Sequence, residues 1–195
     1  MKTAITLLLV MFAAALASAQ TAASSGTPKW LETSDAAGLR KIIEYEYQTV
    51  AQARNPREKA KHLFLLNDAA ERFAMKLNQH VGGVTHQKAA RKQTQQQAND
   101  ANRFGAGIFW CEFDADWATN LNAYQEALKL DPAGPYAEEA WWRGKLGNAL
   151  IVCRDMEGTP EENKVWTEAY TEFLQRFPNG KHAQEARERK KQFSR

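Results

Sequence analysis

The feature that most constrains this chain is an internal repeat. The segments YQEALKLDPAGPYAEEAWWR and YTEFLQRFPNGKHAQEARER, starting at Tyr124 and Tyr170, align without gaps at an offset of 46 residues. Matched pairs include Tyr124 with Tyr170, Leu128 with Leu174, Pro132 with Pro178, Gly134 with Gly180, Ala140 with Ala186 and Arg143 with Arg189. Each copy reads as a helix stopped by Pro, a turn containing Gly, and a second helix whose Ala residues allow close packing. A unit of that kind buries its apolar face by stacking on a neighbour, so the second half of the chain is predicted to be stacked helical hairpins.

The rest of the chain also follows a helical period. Leu39, Ile42 or Ile43, Tyr47 and Val50 mark one helix face, ending near Arg54 because Pro56 disfavours the α conformation at Asn55. Asn55 can then cap a second helix with Pro56 at its first position. This helix carries Ala60, Leu63, Phe64, Ala70, Phe73 and Leu77 and stops at Gly82-Gly83. Residues 85–103 read as a helix with mostly Ala as apolar content. Trp117, Leu121, Tyr124 and Leu128 define the next, closing at Asp131-Pro132. From Tyr136 to Arg154 two apolar stripes, one through Ala137, Trp141 and Gly144 and one through Trp142, Leu146 and Cys153, predict a helix sandwiched between neighbours. A helix face through Trp166, Ala169, Tyr170, Phe173 and Phe177, stopped by Pro178, and a last helix over 182–193 complete the chain, and no stretch has the period-two alternation of a strand.

The first residues read as an export signal. Lys2 supplies a positive region, residues 4–16 an apolar run, and Ala17-Ser18-Ala19 a small-residue cleavage site. The run of about 13 residues is shorter than the roughly 20 needed to span a bilayer. Cleavage after Ala19 leaves 176 residues, of which 20–33 form a polar leader and 34–195 one all-α domain. The expected location is the periplasm or the exterior, with no transmembrane segment in the mature chain.

At the repeat, the order Tyr, Leu, Pro with Gly, then Ala-Glu-Glu-Ala resembles the tetratricopeptide-like repeats of bacterial envelope proteins. Similar repeats occur in the outer-membrane assembly lipoprotein and the Tol-Pal coordinating protein. Leu128-Lys129-Leu130-Asp131-Pro132 is similar to the closing residues of such a repeat. The resemblance covers about 117–193; Gly105 and Gly107 depart from it, and no Cys follows the cleavage site for lipid attachment. It implies an irregular α-solenoid, tetratricopeptide-like in its C-terminal half, that binds proteins and does not catalyse. The partner would be another envelope protein or an extended peptide, with no cofactor.

Candidate contact residues are Trp117, Tyr136, Trp141 and Arg143, aromatic or Arg anchors near the repeated turn. Five of the six tryptophans, Trp110, Trp117, Trp141, Trp142 and Trp166, fall in this half. The alternative they raise is a secreted glycan-binding module or hydrolase, with Glu112, Asp114 or Asp116 as its carboxylates. Acid pairs such as Asp114 with Asp116, or Glu138 with Glu139, also suit helix N-termini. The four histidines, His62, His80, His86 and His182, show no metal-ligand spacing, and no nucleophile-elbow, phosphate-loop or dinucleotide motif occurs. Cys111 and Cys153, outside the cytoplasm, would either form one disulfide, contributing about 3 to 5 kcal/mol, or remain two buried thiols.

A net charge of +3 is too small to nominate nucleic acid as a partner. The charge is segregated nonetheless. Residues 29–103 hold 13 basic and 8 acidic side chains, 111–172 hold 5 and 13, and 181–195 hold 6 and 2. Blocks so unequal predict complementary docking, within the molecule or with a charged partner.

Overall fold

The computed structural model describes residues 35–79, 87–112, 114–147 and 159–194. The predicted signal and leader, the Gly82-Gly83 helix stop, His80, His86 and Cys153 lie outside the described residues. So does the far end of the helix predicted to reach Arg154.

The chain is mostly helical, and the second helix is capped where the sequence puts its cap. Helix α1 (Ala36–Gln52) begins with the Asp35 carboxylate accepting from the Gly38 amide at 2.7 Å. Helix α2 (Pro56–Asn78) begins with the Asn55 Oδ1 accepting from the Glu58 amide at 2.8 Å. The Glu58 carboxylate accepts in turn from the Arg54 amide at 3.3 Å, so two end groups are satisfied reciprocally. The periodicity predicts α2 to be amphipathic. Instead every residue from Leu63 to Ala70 is buried, because α1, helix α3 (Gln87–Asn102), a β-hairpin and helix α4 (Asn122–Leu130) all pack around it. α2 is the central post of the molecule.

The hairpin corrects the strand-free expectation. Strand β1 (Ile108–Cys111) pairs antiparallel with β2 (Asp116–Thr119), placing Ile108 opposite Thr119 and Trp110 opposite Trp117. Trp117 therefore belongs to a strand and not to the helix predicted from it. Two glycines with left-handed backbone, Gly105 (φ 70°) and Gly107 (φ 63°), turn the chain from α3 into the hairpin. A side chain at Gly107 would run into the Asn120 amide. Two Asn side chains then complete the ladder from outside. Asn102 accepts from the Ile108 amide and donates to its carbonyl, both at 2.7 Å. Asn78 does the same for Trp117 at 2.7 and 2.9 Å. Each amide stands in for a missing neighbouring strand.

The repeated sequence is a repeated backbone. Helices α4 and α5 (Ala137–Trp141, continuing as a wider π-helical turn Trp142–Leu146) form one hairpin. Helices α6 (Pro160–Arg176) and α7 (Ala183–Phe193) form the other. In the first turn the amides of Asp131, Gly134, Ala137 and Ala140 donate to the carbonyls of Ala127, Asp131, Gly134 and Tyr136. In the second, Phe177, Gly180, Ala183 and Ala186 donate to Phe173, Phe177, Gly180 and His182, the same four bonds displaced by 46 residues. Tyr124, Trp141 and Phe173 are fully buried and join the two hairpins to the core formed with α2. No described helix is long and apolar enough to cross a membrane.

Candidate functional site

The four predicted contact residues do not share a surface. Trp117 is 3% exposed, its indole Nε1 donating to Thr94 Oγ1 at 2.8 Å and its ring lying edge-on to Trp110 at 5.3 Å. Trp141 is 1% exposed and packs against Phe173 at 5.3 Å. Both are core residues, a correction to their predicted role as anchors: large aromatics contribute most where water is removed from all sides. Trp166 is buried as well, so these three rings offer no exposed face for a sugar.

Arg143 is brought into a buried charge network. Its guanidinium donates to Asp68, which is fully buried on α2, and reaches Glu71 at 3.3 Å, the Tyr124 hydroxyl at 3.0 Å and Glu139 at 3.0 Å. Tyr124 donates to Glu71 at 2.7 Å, and Arg72 holds the other Asp68 oxygen at 3.0 Å. Burial pushes Glu71 above the usual carboxylate range in spite of the Tyr124 hydrogen bond and Arg143, and drives the Tyr124 phenol well up. Burial works the same way on Glu139, but the His182 hydrogen bond at 2.9 Å, Arg143 and Lys181 overcome it and hold that carboxyl low. The His182 ring also stacks flat on Trp142, centroids 4.3 Å apart. With every member engaged, this network ties α2 to both hairpins and leaves nothing aimed at a ligand.

Tyr136 is different. Its ring stacks on Phe64 at 4.8 Å and forms one wall of a cavity of about 310 Å³ between the first turns of α2 and the α4–α5 turn. Ala60, Ala127, Pro135, Ala137 and Ala140 make its apolar lining, and Arg57, Lys61 and His62 bring basic groups to it. Beneath it lies a pair that the sequence reading missed. Glu46 of α1, 1% exposed, accepts from His62 Nδ1 at 2.6 Å. Burial raises the Glu46 carboxyl, against the pull of the His62 hydrogen bond. The signal for it was present: Glu46 follows Leu39 and Ile43 on one helical stripe, where an apolar residue belongs. Tyr47, predicted to face inward, is 44% exposed in its place.

Of the carboxylates of the alternative reading, Glu112 and Asp114 lie between β1 and β2 and Asp116 is the first residue of β2, so Asp114 and Asp116 do not mark a helix N-terminus. Cys111, Asp114 and Asp116 bring one ligating atom each within 4.8 Å of one another, a grouping the spacing rules for metal sites do not cover. The Cys111 thiol already donates to Asp114 at 3.3 Å, and Glu112 is tied to Arg91 at 2.5 Å. Pairing of Cys111 with Cys153 falls outside the described residues.

No protein-family model, curated protein or solved structure matches this chain. The geometry of the cavity is therefore the basis for a functional reading.

Proposed function

We propose that this is an exported, non-enzymatic scaffold of the cell envelope, an irregular α-solenoid with tetratricopeptide-like hairpins. It holds an extended peptide of another envelope protein in the cavity beside Tyr136. The observation that carries this reading is the cavity itself, an apolar trough with an aromatic wall and a rim that sets Arg57, Lys61 and His62 beside Glu58 and Asp131, placed at the first of two turns with the same four backbone hydrogen bonds. Stacked helical hairpins commonly bind through such concave surfaces, and an aromatic wall beside small residues suits an inserted side chain.

Site-specific photo-crosslinking in cells tests it. A photoreactive residue at the exposed Lys61 is expected to capture one envelope protein, and one at the exposed Lys191 on α7 is expected not to. Equal capture at both positions, or none at 61, refutes the reading. Export is checked on the same sample, where the mature chain is expected to begin at Gln20 in mass spectra.

A further inference from the structure

Burying a carboxylate is costly unless it is paired, and a well-packed apolar pair would stabilise the α1–α2 contact at least as well. Glu46 is buried, and its partner is a ring that borders the cavity. Glu46 accepts from Nδ1 of His62 and so fixes the plane of the imidazole. Nε2 makes no hydrogen bond among the described residues and is not sealed from solvent, which leaves it to the cavity.

The charged and titratable groups facing His62 come from three elements: Glu46 of α1; Arg57, Glu58 and Lys61 of α2; and Asp131 and Tyr136 of the α4–α5 turn. Two acids are already engaged, Glu58 in the α2 cap and Asp131 with Arg57 at 3.8 Å. Lys61 makes no ion pair among the described residues. The donors left over are thus the Lys61 ammonium and, when the ring is protonated, His62 Nε2–H.

We infer that the cavity binds a carboxylate attached to an apolar body, with His62 Nε2–H and Lys61 on the carboxylate and the alanine-lined trough around the body. A carboxylate fits better than a dianion, since Glu58 and Asp131 stand on the same rim and would repel a second charge. Binding is coupled to the protonation of His62, because Nε2 donates only as imidazolium. The carboxylate is therefore held more tightly by the protonated ring than by the neutral one. This assignment rests on the scaffold reading above and names the chemistry its peptide must present.

The test uses the full mature chain with ¹⁵N-labelled histidine, titrated with N-acetyl-leucine and, separately, with N-acetyl-leucinamide. The acid is expected to move the His62 Nε2 resonance saturably and to bind at least about tenfold more tightly than the amide at pH 6. His62→Gln is expected to reduce the difference between acid and amide to the part that Lys61 supplies, and to make that part independent of pH. Lys61→Ala, on an exposed residue that leaves the core intact, is expected to weaken the acid by a similar factor whether the ring is protonated or neutral. If His62→Gln unfolds by stranding Glu46, the Glu46→Gln/His62→Gln double variant replaces it. Equal binding of acid and amide overturns the carboxylate assignment and leaves the scaffold reading in place. An unmoved His62 with both probes at about 50 mM, a concentration that detects very weak binding, overturns it too. If Lys61 then also captures no partner in cells, both readings fall.

Discussion

The two copies of the repeat share a Tyr, a Glu and an Arg at matching positions, yet the structure uses them differently. In the first copy Arg143 and Tyr124 meet Asp68 and Glu71 of α2, and Lys181 and His182 of the second turn close over Glu139. In the second, Arg189 and Glu185 are 3.8 Å apart with about half of each side chain in solvent. Further along, the buried Trp141 and Gly144 are matched by Arg187, which is exposed, and Lys190. The backbone of the turn is set by local hydrogen bonds and is indifferent to this change. What the side chains contribute depends on whether another layer packs on them.

The largest expected effect follows from that difference. Arg143→Met leaves the buried Asp68 with Arg72 alone and the part-buried Glu71 with Tyr124 alone, and should destabilise the protein by about 3 kcal/mol. Arg189→Met should change stability by about 0.5 kcal/mol or less. Urea unfolding of the two variants measures both, and equal losses would break the comparison.

Next in size is Gly144→Ala. A Cβ at Gly144 would lie 2.9 Å from the Tyr124 Cβ, an atom the backbone of α4 holds in place. The expected cost is about 1 to 3 kcal/mol. Lys190→Ala, at the matching position of the outer copy, should be nearly neutral; a similar loss in both would mean that α5 is no more tightly held than α7.

Tyr124→Phe removes the hydroxyl that links Glu71 to Arg143, for an expected loss of about 1 to 2 kcal/mol. Tyr170→Phe should cost less than about 0.5 kcal/mol, because its ring is stacked on Trp166 and Phe193 and contributes by packing.

The smallest effect is in the pH profile. Glu139 is held low in the folded state, so its stabilisation is complete above the ordinary glutamate range and is lost as pH falls through the folded value. Glu139→Gln should flatten that acid limb, read from unfolding free energies at pH about 3 and 6. Glu71, raised by burial, acts with the opposite sign, favouring the folded state below its folded value. An unchanged acid limb in Glu139→Gln would show that the clasp of His182 and Lys181 on the first copy contributes no stability.

Much of the helical skeleton was legible because its signals are local. Asn55-Pro56 caps α2, and residues 85–103 do contain a helix, Gln87–Asn102. The β-hairpin was not legible. Its strands are four residues each, too short for a period to show, and Gly105 and Gly107, read as departures from a repeat, are the left-handed turn that starts it. The candidate site was legible only at Tyr136. His62 looked like an isolated histidine, since its partner Glu46 lies on another helix. The charge blocks meet in both senses: Arg57 and Arg91 of the first block reach Asp131 and Glu112 of the acidic one, and Lys181 reaches Glu139, while Arg143 of the acidic block is held by Asp68 and Glu71 of the basic one.

By itself the sequence determined the Asn55-Pro56 start of α2 and that one turn is built twice, because caps, Pro, Gly and i to i+4 hydrogen bonds act over a few residues. Only the tertiary structure decided which Arg is buried, which Trp are core and which His sits over a hidden carboxylate. Those outcomes depend on removal from water by residues 16 to 75 positions away, and a side chain's identity does not encode what will cover it.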